Sequence, residues 1–235
     1  MTCVSRPPAG VLGAAAVLGA VLTLSSCTGD DAAPSRSPEE VLAEAKANLD
    51  ETSGVRILLA TEKLPPGVDG VVSARGIGTH PPAFEGELKV SAAGITADAA
   101  VVAVDGTVEA KLPFTTEFVV IDPADYGAPD PADLLSADQG LSSLLTDAEG
   151  AEEVEEVREG ERVLTEYSAT LPGDTVARVI PSADAEGSFD ATFLVSDDDL
   201  LDEAVITGPF YPDADEVTYT ISFDDYGTEK DITAP

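Results

Sequence analysis

Apolar residues recur at helical spacing between Pro38 and about Thr52, which predicts an amphipathic first helix. They are Val41, Leu42, Ala45 and Leu49. Ser37 is a favourable N-cap, and Glu40 three residues later completes a capping box. Pro38 suits the first helical position, and Gly54 predicts the end of the helix. The chain after residue 37 therefore opens with a helix that has one side available for burial.

Short alternating or β-branched runs separated by tight turns follow this helix and predict an extensive antiparallel sheet. In the first half the runs are residues 55–59, 68–77, 84–92, 95–104, 107–112 and 117–121. In the second half they are residues 154–157, 162–170, 188–195, 201–207 and 217–223. Asp105-Gly106 is a strong hairpin signal between two of the runs.

Helical spacing returns briefly in the middle of the chain. A short helix is predicted after Asp130, a second around residues 141–145, and a third over residues 172–180. The order of helix, strands, short helices and more strands predicts an α+β fold, in which one curved antiparallel sheet carries helices on one face.

The segment before residue 38 has a different pattern. An apolar run of residues 11–24 ends in Leu24-Ser25-Ser26-Cys27, a sequence similar to a bacterial lipobox, and polar residues follow at once. The run is shorter than the roughly 20 residues of a membrane-spanning helix and fits a signal peptide. We therefore predict a lipoprotein signal peptide at 1–26, acylation of Cys27, a lipid-anchored flexible linker at 27–37 and a folded domain at 38–235. A secreted protein with an ordinary leader and a cytoplasmic protein remain the alternatives.

Charge narrows the range of partners. The chain has 45 acidic and 12 basic residues, a formal net charge of −33. Nucleic-acid binding needs a basic footprint, so a nucleic acid is not expected as a partner. Anionic membrane surfaces should also repel the domain, which leaves anchoring to the acyl chains on Cys27. Solvated carboxylates that maintain solubility explain most of the acidity.

Candidate catalytic chemistry is sparse. Once the leader that contains Cys3 is removed, Cys27 is the last cysteine. The single histidine, His80, lies in His-Pro-Pro and is predicted to be an exposed turn residue. Acidic clusters at 197–199, 213–216 and 224–225 lack the spacing of an EF-hand and are interpreted as solvated loops. We predict neither an enzyme nor a bound cofactor or metal.

Five segments of the chain resemble the LppX/LprAFG lipoproteins of actinobacterial envelopes. They are residues 86–90 (GELKV), 102–106 (VAVDG), 130–135 (DPADLL), 139–145 (QGLSSLL) and 226–230 (YGTEK). The resemblance runs through nearly the whole domain, but residues 111–122 follow the family less closely, and the chain is more acidic. It implies a half-open antiparallel barrel around a few helices, similar in architecture to LolA and LolB, with an apolar cavity between sheet and helices.

The same resemblance implies a function. Members bind acylated lipids or glycolipids, move them through the cell envelope from the outer face of the membrane, and in some cases act beside a major-facilitator exporter. Leu88 matches an apolar position near the cavity mouth. The predicted lipid-binding residues are Val55, Ile57, Leu59, Leu88, Val90, Leu141, Leu144, Leu145, Val176 and Val179. Ordinary core packing is the alternative for each residue. For the chain as a whole, the alternatives are a structural or transporter-accessory module without cargo and an extracytoplasmic hydrolase.

Overall fold

The computed structural model describes residues 36–113, 115–126 and 128–235. Helix α1, Pro38–Glu51, begins at the predicted capping box. The Ser37 hydroxyl accepts a hydrogen bond from the Glu40 amide at 3.3 Å, and the Glu40 carboxylate accepts one from the Ser37 amide at 2.8 Å. The predicted apolar face is buried, so the sequence prediction for this helix is confirmed.

The described residues form one antiparallel sheet of eleven strands in the order β6-β5-β4-β3-β2-β1-β11-β10-β9-β8-β7. The first six strands are β1 Gly54–Ala60, β2 Gly70–Thr79, β3 Ala83–Ala92, β4 Ile95–Val104, β5 Thr107–Lys111 and β6 Val119–Ile121. The others are β7 Glu149–Glu159, β8 Arg162–Pro172, β9 Ser188–Ser196, β10 Leu201–Gly208 and β11 Val217–Asp224. The sheet is open, with β6 and β7 at its edges, and β1 joins its two halves by pairing with both β2 and β11. The predicted α+β class with a large antiparallel sheet is confirmed.

Short helices lie between β6 and β7 and between β8 and β9. Helices α2, Ser143–Asp147, and α3, Gly173–Val179, correspond to two predicted segments, and the third is a 3₁₀ turn at Asp133–Leu135. A further 3₁₀ turn, Pro123–Tyr126, was not predicted. It buries none of its residues, so it leaves no periodic apolar signal in the sequence.

The densely packed core lies on the half of the sheet that consists of β7 to β11. Helices α1, α2 and α3 pack there, and their buried residues include Leu42, Leu144 and Val176. Phe210 lies edge-on to Phe189 at 4.9 Å and to Tyr219 at 5.0 Å between ring centroids. Residues Arg36–Pro235 form a compact unit that contains the whole sheet, the helices and this core, so this part of the chain has what it needs to fold without the preceding residues.

His80 is not the exposed turn residue that the sequence predicts. It follows β2 in a turn, but its ring is half-buried between two backbone carbonyls. Nδ1 lies 2.9 Å from the Thr52 oxygen at the end of α1, and Nε2 lies 2.7 Å from the Leu135 oxygen. The prediction was wrong because both hydrogen-bond partners are distant in sequence and carry no side-chain signature.

Two of the acidic clusters make ion pairs. The Asp199 carboxylate accepts two hydrogen bonds of 2.7 Å from Arg36. Arg56 lies 2.5 Å from Asp225 and 3.5 Å from Asp224. Within the described residues, no group of three or more His, Cys, Asp and Glu side chains has an arrangement that could hold a metal ion.

Candidate functional site

An apolar cavity of about 400 Å³ lies between strands β2 to β5 and the chain segment that follows them. A smaller compartment of about 100 Å³ continues from it toward β1 and the 3₁₀ turn at Asp133–Leu135. The two share the lining residues Gly70, Val71, Leu88, Tyr126, Ala128, Pro129 and Pro131. The larger space is within the range of small-molecule sites in proteins.

Small side chains on the sheet create this space. Residues two apart on a strand share a face, so Ala97, Ala99 and Val101 form one row along β4. On β5 the corresponding row is Val108 and Ala110, which continues into Leu112. Methyl groups at the positions opposite the covering segment leave a gap that larger residues would fill. The buried cluster on this half accordingly consists mainly of alanine and valine.

A segment rich in proline and alanine covers the cavity. It contributes Tyr126 and three prolines, Pro123, Pro129 and Pro131, to the lining, and the proline rings restrict its backbone. The Asp130 carboxylate accepts a hydrogen bond of 2.9 Å from the Ala132 amide and so closes the turn. Burial raises the pKa of Asp130, and the nearby charge of Asp133 adds to the effect.

The cavity wall is almost uncharged. Asp69 is the only ionisable acid or base among the described residues that line the larger compartment, apart from the phenol of Tyr126. The Asp69 carboxylate is engaged, because it accepts a hydrogen bond of 2.8 Å from the Ala93 amide in the β3–β4 turn. Asp69 is exposed, so its charge lies at the open end of the cavity and not within the apolar wall.

Two tyrosines close the smaller compartment. Tyr219 donates a hydrogen bond of 2.8 Å to the Val71 carbonyl, so its neighbour Tyr211 donates to the Tyr219 oxygen, also at 2.8 Å. Burial raises the pKa of both phenols, which stay neutral. Gly70 permits this arrangement, since a Cβ there would lie only 2.3 Å from the Tyr211 hydroxyl oxygen.

A polar pocket of about 530 Å³ lies at the opposite end of β5, beside the Asp105-Gly106 turn. It shares Val108, Ile121, Pro123, Ala128 and Pro129 with the apolar cavity. Its own lining includes Asp122, Asp130, Asp133, Gln139 and Arg178. Arg178 donates to Asp147 at 2.7 Å, so its charge is already partnered. The other charged groups that line this pocket are carboxylates, so the pocket as a whole is acidic.

The structure brings together half of the sequence-predicted lipid-binding residues. Ile57, Leu59 and Leu141 line the smaller compartment, Val90 lines the larger one, and Leu88 lines both. The other predicted residues lie elsewhere. Val55, Leu144, Leu145 and Val176 are buried in the filled core, and Val179 contacts the polar pocket. Cys27 and the predicted leader lie outside the described residues.

Sequence reasoning missed the residues that make the space. Ala97, Ala99 and Ala110 line the cavity, and Tyr126 and Pro131 cover it. Ala97 and Ala99, two residues apart on β4, and Ala110 on β5 were a usable signal, since small residues on a buried strand face leave space. The covering segment gave no such signal.

A sequence model of the LppX_LprAFG lipoproteins matches residues 37–233. The chain belongs to this family. The match covers the whole sheet and every described helix, and it confirms the resemblance found in the sequence. Family and fold are consistent with lipid binding and are those of envelope lipoproteins rather than of enzymes. No curated protein sequence matches the chain.

Two solved structures, LprF and LppX, show the same fold at low sequence identity. LprF from Mycobacterium bovis superposes with a TM-score of 0.69 at 16% identity, over 86% of this chain and 98% of that one. LppX from Mycobacterium tuberculosis gives 0.60 at 12% identity, over 83% and 98%. A LolA superfamily protein from Nitrosomonas europaea matches with a TM-score of 0.32 at 8% identity, over 85% and 96%. In residues 36–113, 115–126 and 128–235, no helix is both long and apolar enough to cross a bilayer.

Proposed function

We propose that this member of the family binds the acyl chains of lipids or glycolipids in the apolar cavity and carries them within the cell envelope. The observation that supports this most directly is the cavity itself, about 400 Å³ of space whose wall is small and apolar. Unfilled space in a protein core costs stability, whereas each buried methylene contributes roughly 0.8 kcal/mol. Acyl chains are therefore a favourable occupant.

The proposal extends to the part of the chain before Arg36. Residues 1–26 act as a lipoprotein signal peptide, Cys27 is acylated, and residues 27–37 tether the domain to the outer face of the cell membrane. A major-facilitator exporter is the proposed protein partner. Metabolic labelling with a fatty-acid analogue tests the anchor, because a Cys27→Ser variant should lose the label.

Filling the cavity tests the carrier function. Ala99 faces the cavity, and the next residue, Ala100, faces the opposite side of the sheet. An Ala99→Phe variant should lose most of the co-purifying lipid in native mass spectrometry, because the ring occupies the acyl space. Ala100→Phe is the matched control and should retain lipid. Leu88→Trp, which adds bulk where the compartments meet, should behave like Ala99→Phe.

The outcome separates the two remaining functions. Lipid that is lost in Ala99→Phe and kept in Ala100→Phe supports the carrier. If the wild-type chain carries no lipid and takes none up, the chain is instead a structural or transporter-accessory module. Unfolding by urea checks that both variants are folded, so that loss of lipid is not loss of structure.

The charge distribution favours cargo with an uncharged head group. Asp69 lies at the open end of the cavity, Asp122, Asp130 and Asp133 line the adjoining polar pocket, and the chain carries a net charge of −33. An anionic head group would meet like charge at either place. In competition from a mixed lipid extract, neutral lipids or glycolipids with uncharged sugars should be enriched. A bound fraction made up mainly of anionic phospholipids would contradict this.

A further inference from the structure

Exposed apolar side chains gather around the opening of the cavity. Seven large apolar residues are exposed in the described part of the chain: Leu58, Ile95, Leu112, Val119, Val120, Tyr126 and Val154. Four of them belong to the cavity face or its covering segment, and we call these four the mouth rim. The mouth rim consists of Ile95, Leu112, Val119 and Tyr126.

Strand register places two of these residues, Ile95 and Leu112, at one end of the sheet. Ile95 continues the β4 row of Ala97 and Ala99 outward, and exposure rises from 6% at Ala99 to 69% at Ile95. The β5 row ends in the same direction, because β4 and β5 are antiparallel, and exposure rises from 1% at Ala110 to 42% at Leu112. Both rows change from buried wall to exposed rim without an intervening polar residue on that face.

The edge strand and the covering segment complete the rim. Val119 is paired with Ala110, so it lies on the cavity face of β6 and is 45% exposed. Tyr126 lines both compartments and is nevertheless 54% exposed. The exposed apolar surface is thus continuous with the inside of the cavity.

The charges near the rim do not suit an electrostatic contact. Asp69 is the charged group in the lining at this end, and it is bonded to the β3–β4 turn. Lys89 and Asp98 alternate with the cavity-facing residues of β3 and β4 and pair with one another at 3.5 Å on the other face. A partner recognised here has to be apolar and extended. The hydrocarbon layer of a lipid bilayer has both properties, and it is also continuous with the acyl chains that would enter the cavity.

We infer that the mouth rim inserts into the surface of a lipid bilayer and so places the cavity opening against the acyl layer. The direction of cargo movement through this contact rests on the proposed function, but the contact itself does not. Insertion spares a lipid from exposing its chains to water as it passes between bilayer and cavity. It is separate from any anchor on Cys27, because it is made by the folded domain.

Binding to phosphatidylcholine vesicles tests this with a chain that begins at Arg36. Ile95→Asp and Val119→Asp should each weaken vesicle co-sedimentation by roughly tenfold, the loss expected when one large apolar side chain is no longer buried. Val154→Asp is the matched control, since Val154 is 51% exposed but lies on β7 at the opposite edge of the sheet. It should bind like the wild type.

Salt and lipid composition distinguish insertion from charge attraction. Binding should be unchanged as sodium chloride is added, and phosphatidylglycerol in the vesicles should weaken it through repulsion. Equal binding by the wild type and both rim variants would overturn the inference. So would a dimer in sedimentation that the rim variants abolish, because the rim would then be covered by a second copy of the chain.

Uptake of a fluorescent monoacylglycerol, an uncharged lipid, in vesicle-free solution keeps this test independent of the proposed function. The rim variants should still take up the monoacylglycerol, because the cavity wall is intact. A wild type that binds vesicles but takes up no monoacylglycerol would contradict the carrier and leave the membrane contact standing. A wild type that takes up monoacylglycerol but does not bind vesicles would support the carrier and overturn the membrane contact.

Discussion

At the scale of single residues, Asp130 combines a structural role with an electrostatic cost. Its carboxylate closes the turn that covers the cavity, and burial raises its pKa. A raised pKa in the folded state means that folding favours the protonated acid. Its contribution to stability is present below the pKa of the unfolded chain and is lost as the pH rises through the folded value.

An Asp130→Asn variant should therefore be slightly more stable than the wild type at neutral pH. The amide oxygen can still accept the hydrogen bond from Ala132, but no charge has to be buried. The gain should disappear in acid, where the wild-type carboxyl is protonated as well. Urea unfolding at both pH values measures the difference. Asp138→Asn, at an exposed position in the same loop, is the control and should show no such pH-dependent gain.

Residue identity explains why only half of the predicted lipid-binding residues line the cavity. Large apolar residues are easy to identify, but Leu144 and Val176 pack in the filled core while Leu88 lines the cavity. Nothing local distinguishes these positions, because the difference is what stands opposite each of them in the fold. The cavity depends as much on Ala99 and Ala110, because their small side chains leave the space open.

At the scale of elements, the period of the apolar pattern was sufficient to predict a helix or strand wherever one of its faces is buried. Strands β4 and β11 and helix α1 have nearly the predicted bounds. Strand β7 was predicted over four residues but runs for eleven, Glu149–Glu159. Its glutamates are unfavourable in strands, and the pairing with β8 supplies what propensity does not. Charges along an exposed edge also discourage pairing with another chain.

The link between α1 and the 3₁₀ turn at Asp133–Leu135 depends on His80. Its ring bridges the carbonyls of Thr52 and Leu135, so it fixes the turn against the sheet at one end of the cavity cover. A neutral ring donates to one of these oxygens, and a protonated ring donates to both.

A His80→Ala variant should lose about 1–3 kcal/mol of unfolding free energy, since it leaves partly buried carbonyls without a donor. Denaturant titration measures this loss. Hydrogen exchange should become faster at the Leu135 amide but stay unchanged at Ile206 in the filled core. His80→Gln retains a donor that can reach one carbonyl, so its unfolding free energy should lie between those of the wild type and His80→Ala. If the Leu135 amide exchanged no faster in His80→Ala than in the wild type, the ring would not hold the turn.

At the scale of the whole molecule, fold class and family could be predicted from the sequence because both depend on element order and on motifs spread along the chain. The division of the sheet could not be predicted. Which half receives helices α1, α2 and α3 depends on contacts between distant elements, such as β1 with β11. The short proline-rich cover over the other half has no periodicity that could reveal its position.

Because of this division, one half of the sheet is rigid and the other half holds the internal space. On one half of the sheet, three helices and a dense aromatic core fix the spacing between the layers. On the other half, a cover held by a few hydrogen bonds lies over a wall of methyl groups. A guest should widen the second half more easily than the first, since the two halves meet at a narrow boundary formed by β1 and by contacts such as the Tyr219–Val71 hydrogen bond. We therefore expect the width of the cavity to vary with its guest while the filled half keeps its geometry.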